Sequence, residues 1–230
     1  MCSKLAPEKL SAMKCRKCNS KNYIKKGLRG NKQRFYCKNC KCYFQSEYIY
    51  QAYKPEINGF VTSLLKEGCG VRSIARILNI SSKTVLSRML KISNHIEIPY
   101  FNKFSCKFEV DEMFIKIANG NTQNWLIYAI EQKTKGVISF VIGNRSTENL
   151  KCVIDKVLLL SPKRIYTNRL NIYPRIIPKE IHKQFQYCTN RIERMNLNLR
   201  THIKRLSRKT ICYSKKEKYL EAHLKIYFWG

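Results

Sequence analysis

The chain has 230 residues, and its 45 lysines and arginines against 15 aspartates and glutamates give a formal net charge of +30. A hydrophobic content of 44% is enough to build a core, which excludes a disordered basic tail. No run approaches the roughly 18 apolar residues of a membrane span, and the N-terminus lacks an apolar signal core, so we expect a cytoplasmic protein. Because basic clusters gain affinity for phosphate backbones by counterion release, nucleic acid is the first candidate partner and a membrane surface the second.

Two cysteine pairs in the first 45 residues share the same two-residue spacing: Cys15 with Cys18, and Cys37 with Cys40. Each pair can place both thiolates on one ion, and two pairs complete a tetrahedral zinc site. Short strands around a turn at Gly30-Asn31 would make residues 1–50 a zinc ribbon. Surface cysteines that never meet a metal are the plainer alternative. Cys42 is interpreted as a bystander, because four sulfurs already fill a structural zinc site.

Residues 51–98 show apolar residues at helical spacing in three runs, and Gly68-Cys69-Gly70 separates the first run from the second. A small Ala75 and an apolar Ile80 are typical of two helices packed across a tight turn, which predicts a helix-turn-helix. An ordinary helical hairpin fits the same periodicity. In a helix-turn-helix, the exposed start and face of the recognition helix would contact DNA through Ser82, Lys83, Thr84 and Ser87.

Residues 99–230 change to apolar, β-branched and aromatic runs, which predict strands at 108–115, 125–130 and 137–142. A helix capped by Ser146 and a short strand at 164–167 follow. Three meandering strands, a helix and a further strand are the opening order of a ribonuclease H-like domain. The sequence therefore predicts an α+β multidomain protein: a zinc ribbon, a helix-turn-helix and a ribonuclease H-like α/β domain with basic C-terminal helices.

An amphipathic helix is predicted from Asn190, running on through Lys209. Its apolar stripe consists of Ile192, Met195, Leu199, Ile203 and Leu206. The other faces are strongly basic, so Glu193 stands almost alone among cations. Asn190 and Glu193 could form a capping box, and the residues alone leave this interpretation and a catalytic role for Glu193 equally open.

Only two aspartates occur in the chain, Asp111 and Asp155. Asp111 lies in the first predicted strand of the sheet, where a carboxylate among apolar neighbours is costly unless it binds a cation. Asp155 is interpreted as a solvated residue on a helix face. Glu112 would point to the strand face opposite Asp111, which makes it a poor substitute ligand. Acidic residues on a central strand and a following helix are how nucleases and strand transferases hold two Mg²⁺ ions.

Five segments carry a family resemblance: Asp111-Glu112-Met113-Phe114, Gly143-Asn144-Arg145-Ser146, Tyr166-Thr167-Asn168, 191–201 and 204–214. In these segments the sequence resembles the insertion-sequence-one family of transposases, members of the DDE group. The resemblance covers nearly the whole chain. It implies that Asp111 and Glu193 are catalytic carboxylates that bind Mg²⁺ or Mn²⁺. The second catalytic position, an aspartate in the family, is Asn168 here; Phe114 replaces a tryptophan, and Leu170 an aromatic residue.

The resemblance further implies a protein that binds the ends of a mobile element and its target as double-stranded DNA, and that cuts and rejoins strands. It implies a homo-oligomer in a paired-end complex, associated with the chromosome of a prokaryotic cell. Phosphates along the active-site groove would be contacted by Arg191, Arg194, Arg200, Lys204 and Arg205. A solvated cationic helix face is the plainer interpretation of these five residues.

Asn168 supports an alternative function. An amide oxygen can coordinate Mg²⁺ but carries no charge to hold the ion, so the chain could be a decayed or repurposed transposase that binds DNA without cutting it. A third interpretation, from charge and zinc alone, is a ribosome- or RNA-associated zinc protein. Strand cleavage distinguishes the active transposase from the non-cutting one, and a preference for RNA over duplex DNA distinguishes the third interpretation from both.

Overall fold

The computed structural model describes residues 13–45, 51–99, 106–117, 123–185 and 188–230. The chain divides into two units, residues 1–54 and residues 55–230. The domain boundary predicted at residue 50 lies outside the described residues. The fold is mixed α/β, as predicted. Within the described residues, no helix is long and apolar enough to cross a bilayer.

The first unit contains a three-stranded antiparallel sheet in the order β1-β2-β3, with strands Tyr23–Arg29, Lys32–Cys37 and Tyr43–Gln45. The predicted turn at Gly30 and Asn31 is confirmed, and both residues have positive φ, the conformation that glycine and asparagine tolerate best. The small core stacks the rings of Phe35 and Phe44 at 5.6 Å. The third strand was not predicted, because three residues are too short to show a period of two.

The second unit begins with three helices: α1 (Ile57–Lys66), α2 (Val71–Ile77) and α3 (Ser82–His95). The three predicted helical runs are confirmed. α3 begins where it does because the Ser81 hydroxyl accepts a hydrogen bond from the Thr84 backbone N–H, which satisfies one of the free donors of the first turn. The turn between α2 and α3 places Asn79 at a φ of 49°.

A five-stranded sheet forms the centre of the second unit, in the order β6-β5-β4-β7-β8. Its strands are β4 (Lys107–Ile115), β5 (Asn124–Glu131), β6 (Val137–Gly143), β7 (Arg164–Thr167) and β8 (His182–Lys183). The first three pair antiparallel, as the predicted meander requires, whereas β7 runs parallel to β4, and β8 parallel to β7. The strand β8 and the short helix α5 (Tyr173–Ile176) were not predicted, because each is too short for a periodic signal.

Helices cover both faces of this sheet: α4 (Thr147–Leu158) on one face, and α6 (Asn190–His202) with α7 (Glu217–Trp229) on the other. Alternation along β4 explains the two cores. Phe108 and Val110 pack with α4, whereas Met113 and Ile115 pack with α6 and α7. Asp155 is exposed on α4, as predicted. The sheet therefore carries a buried apolar layer on each side.

The prediction that α6 continues to Lys209 is wrong, because the helix ends at His202. Ile203 has extended backbone angles, and a 3-10 turn follows over Lys204–Leu206. Hydrogen bonds at the turn account for the end: the Ser207 hydroxyl donates to the Arg200 carbonyl at 2.8 Å, and the Arg200 guanidinium donates to the Leu206 carbonyl at 3.1 Å. Ile203 and Leu206 stay buried, so the apolar stripe continues after the helix has ended.

Helices α1 and α3 pack against α7, which joins the helical segment to the sheet. Gly68, at the end of α1, has a φ of +77° and lies so close to α6 that an added Cβ would stand 2.7 Å from the His202 carbonyl oxygen. Only glycine combines this backbone conformation with this approach. The end of α1 is thereby held against the end of α6.

Replacing Ile154 with alanine is expected to lower the free energy of unfolding by about 2–5 kcal/mol, because this fully buried side chain fills the core beneath α4. The measurement is urea unfolding followed by tryptophan fluorescence, since both tryptophans, Trp125 and Trp229, lie in the second unit. Asp155→Ala, on the exposed face of the same helix, is the matched control and should change stability by less than about 0.5 kcal/mol. Equal losses from both variants would contradict the packing described.

Candidate active site and metal centre

The parallel ends of β4 and β7 bring Asp111 and Asn168 together. Val110 pairs with Thr167, so the next residue on each strand lies at the same edge of the sheet. The Asn168 amide nitrogen donates to Asp111 Oδ1 at 3.0 Å and also to Glu112 Oε2 at 2.9 Å. The Asn168 amide oxygen accepts from the Leu170 backbone N–H at 3.0 Å. These partners set the orientation of the amide: nitrogen toward the carboxylates, and oxygen toward the backbone.

Glu112 lies on the α4 face of the sheet, opposite Asp111, as alternation predicts. Its side chain is only 1% exposed, and Arg145 Nη2 lies 3.2 Å from its Oε2. The Tyr173 hydroxyl donates to its other oxygen. Burial, and then the charge of Glu112, raises the pKa of Tyr173 well above its usual value, so this hydroxyl remains a donor. Glu112 therefore lies on the face predicted for it, and it shares the Asn168 amide with Asp111 because Asn168 reaches both faces around the strand end.

The second oxygen of Asp111 is also hydrogen-bonded. The Asn196 amide nitrogen donates to Asp111 Oδ2 at 2.7 Å, and the Tyr128 hydroxyl donates to the Asn196 amide oxygen at 2.8 Å. Burial and the neighbouring charge of Glu112 raise the pKa of Asp111 to about 6. Both carboxylate oxygens of Asp111 thus accept from neutral amides.

Glu193 lies one turn before Asn196 on α6, and both residues line a cavity of about 600 Å³. Its carboxylate accepts a hydrogen bond from the Thr189 hydroxyl at 2.8 Å. The capping box with Asn190 is not formed, because Asn190 is the first helical residue and Thr189 occupies the N-cap position. Among the described residues, Asp111, Glu112 and Glu193 do not converge into a group that could hold a metal ion.

A fourth carboxylate, that of Glu109, fixes the start of α6. Glu109 is fully buried on β4, and its Oε2 accepts from the Ile192 backbone N–H at 2.9 Å. Its Oε1 accepts from Gln132 at 3.1 Å and pairs with Arg191 at 3.4 Å. A negative charge at a helix N-terminus satisfies free N–H donors and the helix dipole. Glu109 therefore anchors the helix that carries Glu193 and Asn196.

The five basic residues expected to contact phosphates have different surroundings. Arg194 and Lys204 are exposed, and half-exposed Arg191 pairs with Glu109. Arg200 donates to the carbonyls of Phe114 and Leu206, and Arg205 donates to the Ser214 hydroxyl at 2.8 Å. Burial lowers the pKa of Arg205. Arg200 and Arg205 thus bind their own chain, although Arg200 and Arg208 also line the cavity beside Glu193.

The residues expected to read DNA lie at the start of α3. Ser82, Lys83 and Ser87 are exposed there. Thr84 is partly buried, and its hydroxyl lies 2.8 Å from that of Ser81, within the cap of the helix. The first two turns of α3 therefore present one cation and two hydroxyl groups to solvent.

The first unit holds a four-thiol cluster made by the predicted ligands Cys15, Cys18, Cys37 and Cys40, whose sulfurs lie within 4.8 Å of one another. Tight turns at residues 16–18 and 38–40 bring the two pairs together. Four converging thiols suit a tetrahedral ion with sulfur ligands, and the cluster could hold a metal such as zinc.

Sequence reasoning missed several residues of the acidic site. Asn196 could have been found, because it follows Glu193 by three residues, and residues three apart in a helix lie on the same face. Tyr173 carried no local signal, and Arg145 belongs to a segment of the family resemblance but had no role assigned to it, since both approach Glu112 from segments distant in the sequence. Glu109 lies two residues before Asp111 on β4 and therefore on the same face of the sheet. Its contact with α6, however, depends on tertiary packing.

Comparison with known proteins places residues 104–228 in a family model described as IS1 transposase. The insertion element iso-IS1n protein InsB of Shigella dysenteriae is 39% identical over 121 residues, which cover 51% of this chain and 88% of that protein. The insertion element IS1 protein InsB of Shigella sonnei is 34% identical over 121 residues, with the same coverage of both chains.

A solved structure, a cryoEM structure of the simian T-cell lymphotropic virus intasome in complex with PP2A regulatory subunit B56 gamma, matches at 14% identity. The match covers 62% of this chain and 59% of that chain, with a TM-score of 0.33, which is too low to indicate a shared fold.

The matched region contains the whole five-stranded sheet, the Asp111–Asn168 contact and α6, so the class of protein is that of the insertion-element transposases. The family model spans more than half of the chain, and the Shigella protein is matched over most of its length. The chain belongs to the IS1 transposase family.

Replacing Glu109 with alanine is expected to lower the free energy of unfolding by about 2–3 kcal/mol, because the buried Ile192 N–H loses its acceptor. Glu109→Gln keeps one acceptor oxygen and should cost less. Urea unfolding followed by tryptophan fluorescence measures both, and Glu97→Ala, at an exposed position, is the control. A stability of Glu109→Ala within about 0.5 kcal/mol of the unaltered chain would show that Glu109 does not anchor α6.

Proposed function

We propose that this chain binds the ends of its insertion element as a transposase-family protein, and that strand cleavage is blocked at Asn168. The single observation that carries the proposal is that both oxygens of Asp111 accept hydrogen bonds from side-chain amides. The proposed partner is double-stranded DNA, bound on the bacterial chromosome. A homo-oligomer that pairs two element ends is part of the same proposal.

Charge and the helical segment support DNA binding. The net charge of +30 favours a polyanion, and the exposed start of α3 offers Lys83 with the hydroxyls of Ser82 and Ser87. We interpret α2 and α3 as a helix-turn-helix with α3 as the recognition helix. We interpret the four-thiol cluster of the first unit as a zinc site, and the unit as a zinc ribbon. Its exposed strand β1 carries Lys25, Lys26 and Arg29, which add to the positive charge available to DNA.

The sheet supports a ribonuclease H-like catalytic domain. Three antiparallel strands are followed by two strands parallel to β4, with α4 between β6 and β7. This order and the helices on both faces agree with the predicted fold. In that fold Asp111, Asn168 and Glu193 would occupy the three catalytic positions, on β4, after β7 and on α6.

The arrangement at Asn168 does not fit a divalent ion. Mg²⁺ and Mn²⁺ are held by oxygen ligands, whereas the Asn168 amide presents its N–H groups to both Asp111 and Glu112. Turning the amide over would place its oxygen against two carboxylates and its N–H groups against the Leu170 N–H. Each new contact would be repulsive. The Asn168 amide thus lies between the two carboxylates and donates to both. A catalytic cation would have to occupy that same place.

A second candidate function, an active transposase, is favoured by the contacts that join Asp111 to Asn168 and to α6, the helix that carries Glu193. Asn168 contacts Asp111 directly, and Glu193 lies one turn from Asn196, which also contacts Asp111. Cleavage would require the Asn168 amide to release both carboxylates. The two functions differ in one measurable outcome, strand cleavage by the unaltered chain.

The test of the block uses the purified full chain, a labelled duplex carrying the element end, and Mg²⁺ or Mn²⁺. The unaltered chain is expected to bind the duplex without cutting it. Asn168→Asp is expected to cleave it, because the variant exchanges the amide donor for an anionic oxygen. The double variant Asp111→Asn with Asn168→Asp is the control and should bind without cutting. Robust cleavage by the unaltered chain would overturn the block, and a bound but inactive Asn168→Asp variant would show that Asn168 is not its cause.

End recognition by α3 is tested by Lys83→Ala, which is expected to weaken binding of the element-end duplex roughly tenfold. Lys91→Ala is the matched control, because Lys91 is an exposed cation further along the same helix. It should change the affinity by less than about twofold if the helix approaches DNA through its N-terminal turn. Fluorescence anisotropy at constant salt measures both, and equal losses would contradict the proposed orientation of α3.

A further inference from the structure

A fifth thiol lies inside the cysteine cluster of the first unit. The Cys42 sulfur is 3.5 Å from that of Cys15 and 3.1 Å from that of Cys40. The Cys15 sulfur is also 3.5 Å from that of Cys40, so Cys40 and Cys42 are equally distant from it. The sulfurs of Cys18 and Cys37 lie 3.5 Å apart and complete the group.

The two spacings from the Cys15 sulfur place Cys40 and Cys42 within reach of the same ion. Zn–S bonds of about 2.3 Å in a tetrahedron place two ligand sulfurs about 3.8 Å apart, close to the distance from Cys15 to either Cys40 or Cys42. A tetrahedral ion takes four sulfurs, and Cys15, Cys18 and Cys37 supply three of them. One place is left for Cys40 and Cys42, whose sulfurs lie at the same distance from that of Cys15.

The backbone explains how both thiols reach the same place. Lys41, between Cys40 and Cys42, has a φ of 56°, and this left-handed residue makes a tight turn in which the two sulfurs lie 3.1 Å apart. The Cys42 carbonyl accepts from the Cys37 N–H at 3.0 Å, which ties this turn to the second cysteine pair. Cys40 and Cys42 are both partly buried against the aromatic core of the ribbon.

We propose that Cys40 and Cys42 are alternative fourth ligands of the metal site, either of which completes it with Cys15, Cys18 and Cys37. The bound sulfur is a thiolate, and its proton is lost to solvent on metal binding. The other keeps its proton and donates an S–H hydrogen bond to the bound sulfur across the 3.1 Å contact. This inference rests on the proposed zinc site.

The experiment uses the full chain and four variants: Cys40→Ala, Cys42→Ala, the double variant of both, and Cys15→Ala. Zinc affinity is measured by competition with a chromophoric chelator. Co²⁺ absorption is measured in parallel, because the thiolate-to-cobalt charge-transfer bands report the number of sulfur ligands. Both probes are free metal ions and require no enzymatic activity.

Each of the two single variants, Cys40→Ala and Cys42→Ala, is expected to keep a four-thiolate Co²⁺ spectrum and to bind zinc within about tenfold of the unaltered chain. Cys15→Ala and the double variant should lose a thiolate and bind at least roughly 100-fold more weakly. A Cys40→Ala variant that behaves like Cys15→Ala would overturn the inference. An unaltered chain that binds neither metal would instead overturn the zinc site itself.

Discussion

One side-chain amide determines the state of the acidic site. The Asn168 nitrogen donates to Asp111 on one face of the sheet and to Glu112 on the other, because Asn168 follows the last residue of β7 and reaches around the strand end. Two adjacent carboxylates in a partly buried site repel each other unless a donor or a cation lies between them. Here the amide performs that task, and Asn196 satisfies the remaining oxygen of Asp111. Each oxygen of the two carboxylates thus accepts a hydrogen bond from the chain.

The rest of the unit brings α6 to this point. Glu109 is buried beneath the first turn of α6 and accepts its Ile192 N–H, while the apolar stripe of the helix packs on the sheet. Glu131, also buried, accepts from the backbone N–H groups of Lys133 and Thr134 and shapes the turn between β5 and β6. In a protein with 45 basic and 15 acidic residues, these carboxylates are used inside as anchors for backbone donors.

The sequence predicted the parts of this arrangement that depend on periodicity and spacing. Runs of alternating and helical residues located β4 to β7 and α1 to α4, and the cysteine spacing located four converging thiols. It could not predict the end of α6 at His202, because the apolar stripe continues through Ile203 and Leu206 after the backbone has turned. Alternation placed Glu112 on the correct face but could not show that Asn168, beyond the strand end, contacts both faces. Such contacts depend on how separate segments meet.

The two proposed activities differ in how sensitive they are to a single substitution. DNA binding depends on many cations whose contributions add, so one replacement removes a small part of the affinity. Cleavage depends on a small set of oxygen ligands, and Asn168 differs from an aspartate of nearly the same shape only by presenting donors in place of an anionic oxygen. Similarity to the IS1 transposases over residues 104–228 is therefore strong support for a shared domain architecture. It is weak support for strand cleavage, which one substitution can abolish. The hydrogen bonds of Asn168 alter the acidic site and leave the exposed cations unchanged. We therefore expect the chain to bind DNA without cutting it.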